Sequence, residues 1–324
     1  LPSGIPNDIA EKLVNHQLNM LAENRELHDK VEFDICVTCW DFCIEESRHR
    51  FNAAGLSPDE VGFVEQALLA LTKNILVKGV PALDALIQKS NVLLQFETVD
   101  LSKSPQERVQ HLLTACRDQG TLIFSQLARH GFIGIQFLRS MVQMNIIDEA
   151  ESAHFLRSIT TVATELSDDL GNVFDGKMAR STFLQQYGHL RPGTYDITSW
   201  RYDEKPDLYL ARGNAQPTRP THEVFEFSPA SHKRIETHLS QIGYDITSSE
   251  LLGYIALSIK GREQAKFAFT RVVSDILTEL ASWGEEVSLT RDQLSFIPIE
   301  TVFDASDSAG IMKRVALAQE RYKV

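Results

Sequence analysis

Residues 187–204 hold the densest collection of groups able to do chemistry: His189, Arg191, Asp196, Arg201, Asp203 and Glu204, interleaved with Tyr187, Tyr195, Trp200 and Tyr202. Guanidinium forks bind carboxylate or phosphate in bidentate fashion, His189 or Asp196 can accept a proton from a hydroxyl, and flat aromatics cover an apolar body. The run suits a site for a polar or anionic ligand with a flat apolar part. It equally admits a structural reading in which Arg191 and Asp196 pair with each other and cap neighbouring helices. A second cluster is Lys260-Gly261-Arg262-Glu263 with Lys266. Arg262 and Lys266, four apart, share one helix face, and Glu263 reaches Lys266 at i,i+3, which leaves the guanidinium available to an anion. A helix starting near Gly261 would add amide donors. The alternative is ordinary surface ion pairing worth a few tenths of a kcal/mol.

The elements that must position these groups read as helices. Ser181 to Tyr187 forms a last amphipathic turn or two, Gly188 suits the left-handed position after a helix end, and Pro192-Gly193 forbids re-entry into helix. Ser57, Ser104, Asp148, Thr247 and Thr290 each stand three residues before a Glu or Gln, the capping-box spacing, with Pro58 and Pro105 at first helical positions. Apolar stripes follow, such as Val61, Val64, Leu68, Leu71 and Ile75. The pattern predicts helices near 57–76, 105–119, 121–144, 149–172, 178–187, 229–241, 248–259, 262–283 and 306–321. Residues 32–42 alternate and are rich in β-formers, which predicts a strand. Residues 205–227, with Pro206, Pro217, Pro220, Gly213 and Asn214, predict an extended excursion whose end, 223–227, touches down as a short strand. The expected fold is mainly α, a multi-helix domain with one small β element: an N-terminal segment 1–56 containing the strand, then a helical substrate-binding-like domain 57–324 with a loop over 188–227.

At 324 residues and 43% hydrophobic the chain can bury one large core or two modest ones. A formal charge of −12 argues against nucleic acid and against an anionic membrane surface as partners. No apolar run approaches the roughly 20 residues that span a bilayer, and no basic-then-apolar leader is present, so a cytoplasmic location is expected. Cys36, Cys39 and Cys43 form a Cys-x-x-Cys-x-x-x-Cys cluster in an apolar run, which points to packed thiols; a zinc site would need a fourth ligand such as His28 or His49. Phosphate-binding, dinucleotide, zinc-protease and nucleophile-elbow motifs are lacking. His130 and His154 read as satisfied helix residues. Asp168 and Asp169 point about 100° apart on a helix and read as a solvated end rather than a metal site.

The run Phe183-Leu184, Tyr187 to Ile197 and Arg201-Tyr202-Asp203-Glu204 resembles the segment F-L-x-x-Y-G-H-R-x-P-G-x-x-D-I, then P-R-Y/W, of the phosphoenolpyruvate-synthase-like family, which includes rifampicin phosphotransferases. Arg262-Glu263-x-x-Lys266-Phe267 is similar to that family's R-E-x-x-K-F helix, and Leu127-Ala128-Arg129-His130-x-Phe132-Ile133 to its L-A-R-x-x-F-I helix. The likeness covers roughly residues 120–300. Trp200 stands where the family has Pro, and neither the nucleotide-binding region nor the phosphohistidine loop is present. The resemblance implies a modular parent enzyme in which an ATP-grasp region, with ATP and Mg, phosphorylates a carrier histidine that hands the group to an acceptor, pyruvate or a drug hydroxyl. This chain would be the acceptor-binding middle region, with 1–56 as the tail of the ATP-grasp region. It would carry no cofactor itself, have the other two domains of the same polypeptide as partners, and not turn over alone. Arg191, Arg201, Arg262 and Lys266, with Glu263 beside them, would neutralise charge, His189 or Asp196 would take the hydroxyl proton, and Tyr187, Tyr195, Trp200 and Tyr202 would cover the acceptor. The alternative is a non-catalytic helical scaffold or domain-docking module.

Overall fold

The computed structural model describes residues 1–2, 4–95, 100, 102–211, 224–304 and 308–322. Every regular element among them is helical, so the fold is mainly α. In chain order the α-helices are α1 (Asn7–Glu23), α2 (Ile44–Ala53), α3 (Pro58–Asn91), α4 (Pro105–Ala115), α5 (Leu122–Gln143), α6 (Glu149–Ser158) and α7 (Val162–Phe174). They continue with α8 (Arg180–Tyr187), α9 (Pro206–Leu210), α10 (Pro229–Gln241), α11 (Ser248–Glu286), α12 (Arg291–Leu294), α13 (Glu300–Phe303) and α14 (Ser308–Arg321). All five predicted capping boxes form. Ser104 with Glu107, Asp148 with Glu151 and Thr290 with Gln293 exchange side-chain and backbone hydrogen bonds, as do Ser57 with Glu60 and Thr247 with Glu250. Each satisfies amide groups that the first helical turn leaves without partners.

The chain divides into two compact units, and the predicted boundary after residue 56 is not where the division falls. The first unit comprises Leu1–Ile87, Gln126–Thr161 and Thr221–Arg262; the second comprises Gln88–Ser125, Val162–Pro220 and Glu263–Val324. In the first, Ile9 and Leu13 of α1, Ile44 and Phe51 of α2, and Val61, Val64 and Leu68 of α3 make one apolar cluster. In the second, Leu93, Val109 and Leu112 pack with Ala268, Val272 and Ile276, while Trp283, Leu289, Leu294, Val302, Ile311 and Val315 form another cluster. A third cluster there, around Phe183, Tyr187 and Leu210, receives Val162, Leu166, Leu170 and Phe267.

Several expectations are corrected. Residues 32–42 form no strand: Val31–Ile35 make a single wide helical turn, closed by Cys36 N donating to Val31 O at 2.8 Å, and an irregular segment follows. With no strand among the described residues to pair with, this backbone uses side chains. Trp40 N donates to Thr72 Oγ1, Cys43 N to Asp41 Oδ1, and Arg50 Nη1 to Phe33 O. Burial along the run falls at Ile35, at Cys39 and at the contiguous Asp41, Phe42 and Cys43, without the period of two that a pleat would impose. The helix predicted over 149–172 breaks at Ile159-Thr160-Thr161, a β-branched run with Ile159 extended at φ −81°, ψ 110°. Helices predicted over 248–259 and 262–283 are one helix, α11. Gly261 is no breaker there; it admits Ile87, whose Cδ1 would lie 2.9 Å from an added Cβ. Helix α3 runs past its predicted end through a kink at Gly79, whose φ of +44° suits glycine, two residues before Pro81. Residues 206–210 of the predicted excursion are helical, 224–227 have no regular structure, and 212–223 lie outside the described residues.

Candidate functional site

The loop after α8 is closed at its base by the backbone. Asp203 N donates to Gly188 O and Tyr202 N to Leu190 O, both at 3.0 Å. Gly188 is not left-handed as predicted: it has φ −56° and ψ −32°. Glycine is needed there because an added Cβ would overlap the Leu184 carbonyl oxygen, which is backbone, and would lie 2.9 Å from Asp203 Cβ at the other end of the loop. At the tip, Asp196 Oδ1 accepts from Thr198 N at 2.8 Å and from its hydroxyl at 2.7 Å, and Gly193 N donates to Ser199 Oγ at 3.1 Å. The Thr198 hydroxyl and amide hold the Asp196 carboxyl below its usual range. That carboxylate caps its own turn.

Arg191 has a fully buried side chain. Its Nε donates to Ser274 Oγ at 2.9 Å, Nη2 to Thr278 Oγ1 at 2.8 Å and to Ser274 O at 3.2 Å, and Nη1 to Ser199 O. Glu204 lies 3.8 Å away. Burial pushes the guanidinium down to about 10, so it remains a cation at neutral pH. The constrained position between Gly188 and Pro192 does aim the fork, but at α11. Arg201 bonds Asp275 at 2.6 Å and both Asp203 oxygens, and Arg291 bonds Glu204 at 2.9 Å while lying 3.9 Å over the Trp200 ring. Tyr187 is buried, donates to Asp169 at 2.9 Å, and has its phenol pushed up first by burial and then by that carboxylate. Asp169, read from sequence as part of a solvated end, is thereby engaged. Tyr202 packs against Phe183 and Tyr209, while Tyr195 is 64% exposed.

His189 is the outlier of this loop. It is 5% exposed, its ring lies 4.8 Å from that of Phe267, and its Nε2 finds no hydrogen-bond partner among the described residues. Burial, helped by Arg271 and Arg201, lowers the imidazole to about 3. A base that weak is far from the near-neutral value that favours proton abstraction, so the neutral ring serves as a hydrogen-bonding group rather than as a general base. A buried imidazole nitrogen without a partner costs stability and calls for an explanation.

In the first unit, Arg262 packs across Gly131: an added Cβ there would lie 2.8 Å from Arg262 Cδ. Its guanidinium sits 5.3 Å from the centre of the Phe132 ring. Helix α11 begins at Ser248, so the predicted helix start near Gly261, with its free amides, is not formed. Glu263 and Lys266 belong to the second unit, Lys266 exposed. Cys39, Cys43 and Cys116 are buried and Cys36 is half-buried. Burial pushes Cys43 up to about 12 and Cys116 to about 11, which keeps both thiols protonated. No set of three His, Cys, Asp or Glu side chains poised for a metal occurs among the described residues.

A cleft that sequence reasoning missed lies in the first unit. Its volume is about 810 Å3, and it is lined by the Val31–Ile35 turn, α2, α5 and α6, including Phe33, Arg50, Gln136, Arg139, Gln143 and Leu156. The only local signal was Arg139 with Gln136 and Gln143 at helical spacing on α5. Comparison of the chain with protein-family models, curated proteins and solved structures found no significant match.

Proposed function

We propose that this chain is the acceptor-side helical region of a phosphoenolpyruvate-synthase-like phosphotransferase, with ATP, Mg and the carrier histidine supplied by other domains of the same polypeptide. One observation carries the reading: the separate sequence stretches that resemble this family pack against its R-E-x-x-K-F segment. Phe132 lies under Arg262 in the first unit, and Tyr187 and His189 lie against Phe267 in the second, with ring centres 6.0 and 4.8 Å apart. Phosphoryl transfer is mainly positioning and electrostatics. Lys266 of the second unit is the cation for the transferred group or an anionic acceptor, and His189 of the same unit is a neutral hydrogen-bonding group. Arg191 and Arg201 hold the loop instead of touching the acceptor. No helix among the described residues is long and apolar enough to cross a membrane, and we assign the chain to the cytoplasm, where its thiols stay reduced.

The test uses the intact polypeptide and follows label from ATP into phosphohistidine and then into pyruvate or a hydroxylated small molecule. Lys266→Ala should leave the first step unchanged and slow the second about 100-fold, or about 2.7 kcal/mol. Equal loss of both steps, or of neither, refutes the reading. The second reading, a scaffold or docking module, is favoured by the internal use of Arg191, Arg201 and Glu204, and it expects no kinetic effect from Lys266→Ala.

A further inference from the structure

The cleft of the first unit leaves two arginines without carboxylate partners. Five arginines of this acidic chain show the usual arrangement, a carboxylate at close range: Arg48 with Glu65, Arg108 with Glu279, Arg180 with Asp207, Arg201 with Asp275 and Arg291 with Glu204, at 2.6–2.9 Å. Arg139 is different. Its guanidinium lies 4.1 Å from the centre of the Phe33 ring and makes no hydrogen bond or ion pair with a described residue. Stacking on a ring fixes the plane of the fork and leaves its N–H edge available. Arg50 uses only Nη1, towards Phe33 O at 2.8 Å and Cys36 O at 3.5 Å, so its other donors are uncommitted among the described residues. Asp34 and Glu149 also line the cleft, yet neither comes within ion-pair distance of these arginines.

The rest of the lining suits an organic body. Ile135, Val142 and Leu156 are apolar, and Leu156 is 40% exposed. The wall is held in place: Gln136 Nε2 donates to Asp41 Oδ2 at 2.7 Å, with Asp41 only 3% exposed, and Gln143 Nε2 donates to Glu46 Oε2 at 2.9 Å. A volume of about 810 Å3 falls within the range typical of small-molecule sites. We infer that this cleft binds a small organic anion, its carboxylate or phosphate head engaging Arg139 and Arg50 and its apolar body lying against Ile135, Val142 and Leu156. The inference is independent of the phosphotransferase reading.

The test is calorimetric titration of the full chain with benzoate, phenyl phosphate and inorganic phosphate. At least one of the two organic anions should bind more tightly than inorganic phosphate, and the tighter of the two identifies the head group. Arg139→Gln should weaken that binding by about tenfold or more, as expected for loss of a charge-assisted hydrogen bond. Leu156→Asp, which sets a like charge at the apolar end, should weaken it too, whereas Arg117→Gln, at an exposed arginine already paired with Asp118, should not. Arg139 and Leu156 are both exposed, so circular dichroism should find both variants folded. No binding of either organic anion at ~1 mM, equal binding of inorganic phosphate, or unchanged binding by Arg139→Gln would overturn the inference.

Discussion

The loop at 187–204 and the cleft around Arg139 use similar residue types in opposite ways. In the loop every strong charge is answered from within the second unit: Arg191 by Ser199, Ser274 and Thr278, Arg201 by Asp203 and Asp275, Glu204 by Arg291. In the cleft the guanidiniums rest on a ring and on carbonyls, with no carboxylate of the described residues at ion-pair distance. A dense run of charges and aromatics along the chain is thus as much a recipe for a self-complementary loop as for a binding site. Ligand capacity lies where donors are held but not used.

The largest effect that sharpens this comparison is on stability. Arg191→Ala removes the centre of the loop's network and strands Ser274, Thr278 and the Ser199 carbonyl, and it should cost about 3–5 kcal/mol in urea denaturation, as for other broken buried charged networks. Arg191→Lys should recover little, because an ammonium cannot span these partners. Arg139→Ala, at an exposed guanidinium, should stay within about 0.5 kcal/mol of the parent. Equal costs at the two sites would erase the distinction.

A comparable effect should appear with pH. His189 is lowered to about 3 by burial, against 6.5 for the free group. Above about pH 6.5 the ring is neutral in folded and unfolded chains alike, and its neutrality favours neither. As the pH falls towards 3 the unfolded chain takes up a proton that the folded one refuses, so stability is lost across that window, up to on the order of 4 kcal/mol. Carboxylates titrate in the same range, so the informative quantity is the difference between the parent and His189→Gln. The variant's urea midpoint should fall less steeply between pH 6.5 and 4. Parallel curves would mean that His189 is protonated in the folded state.

What was legible in the sequence was local. The five capping boxes were readable because donor and acceptor lie three residues apart, and the mainly α architecture followed from the stripes behind them. The strand over 32–42 was misread because the alternation of Phe33, Ile35, Val37 and Cys39 is a local pattern, whereas a partner strand, which the described residues do not provide, is a tertiary fact. Gly188 could be recognised as necessary, but only part of the reason is local: the Leu184 carbonyl lies four residues back, whereas Asp203 approaches it from fifteen residues away. The engagement of Arg191 with Ser274 and Thr278 spans more than eighty residues, and the cleft draws on four elements. No spacing rule reaches either.

The smallest expected effects test a third way of holding an arginine, by packing alone. Arg262 lies across Gly131, where an alanine methyl would meet its Cδ at 2.8 Å and its Cβ at 3.2 Å. The obstacle is a side chain, which can move, so Gly131→Ala should cost about 1–2 kcal/mol rather than unfold the chain. The movement would carry the guanidinium off Phe132, where it now sits 5.3 Å from the ring centre. Gly62 in α3 offers the control: nothing lies within 4 Å of an added Cβ, and its φ is not positive. Gly62→Ala should therefore stabilise by about 0.5–1 kcal/mol, through the smaller conformational freedom of the unfolded chain. Opposite signs in thermal denaturation would establish that Gly131 is glycine for the sake of Arg262. If Arg262 also serves phosphoryl transfer, Gly131→Ala should slow discharge of the phosphohistidine to the acceptor while Gly62→Ala leaves it unchanged. A kinetic effect shared by both variants would tie the loss to the helices and not to the placement of that guanidinium.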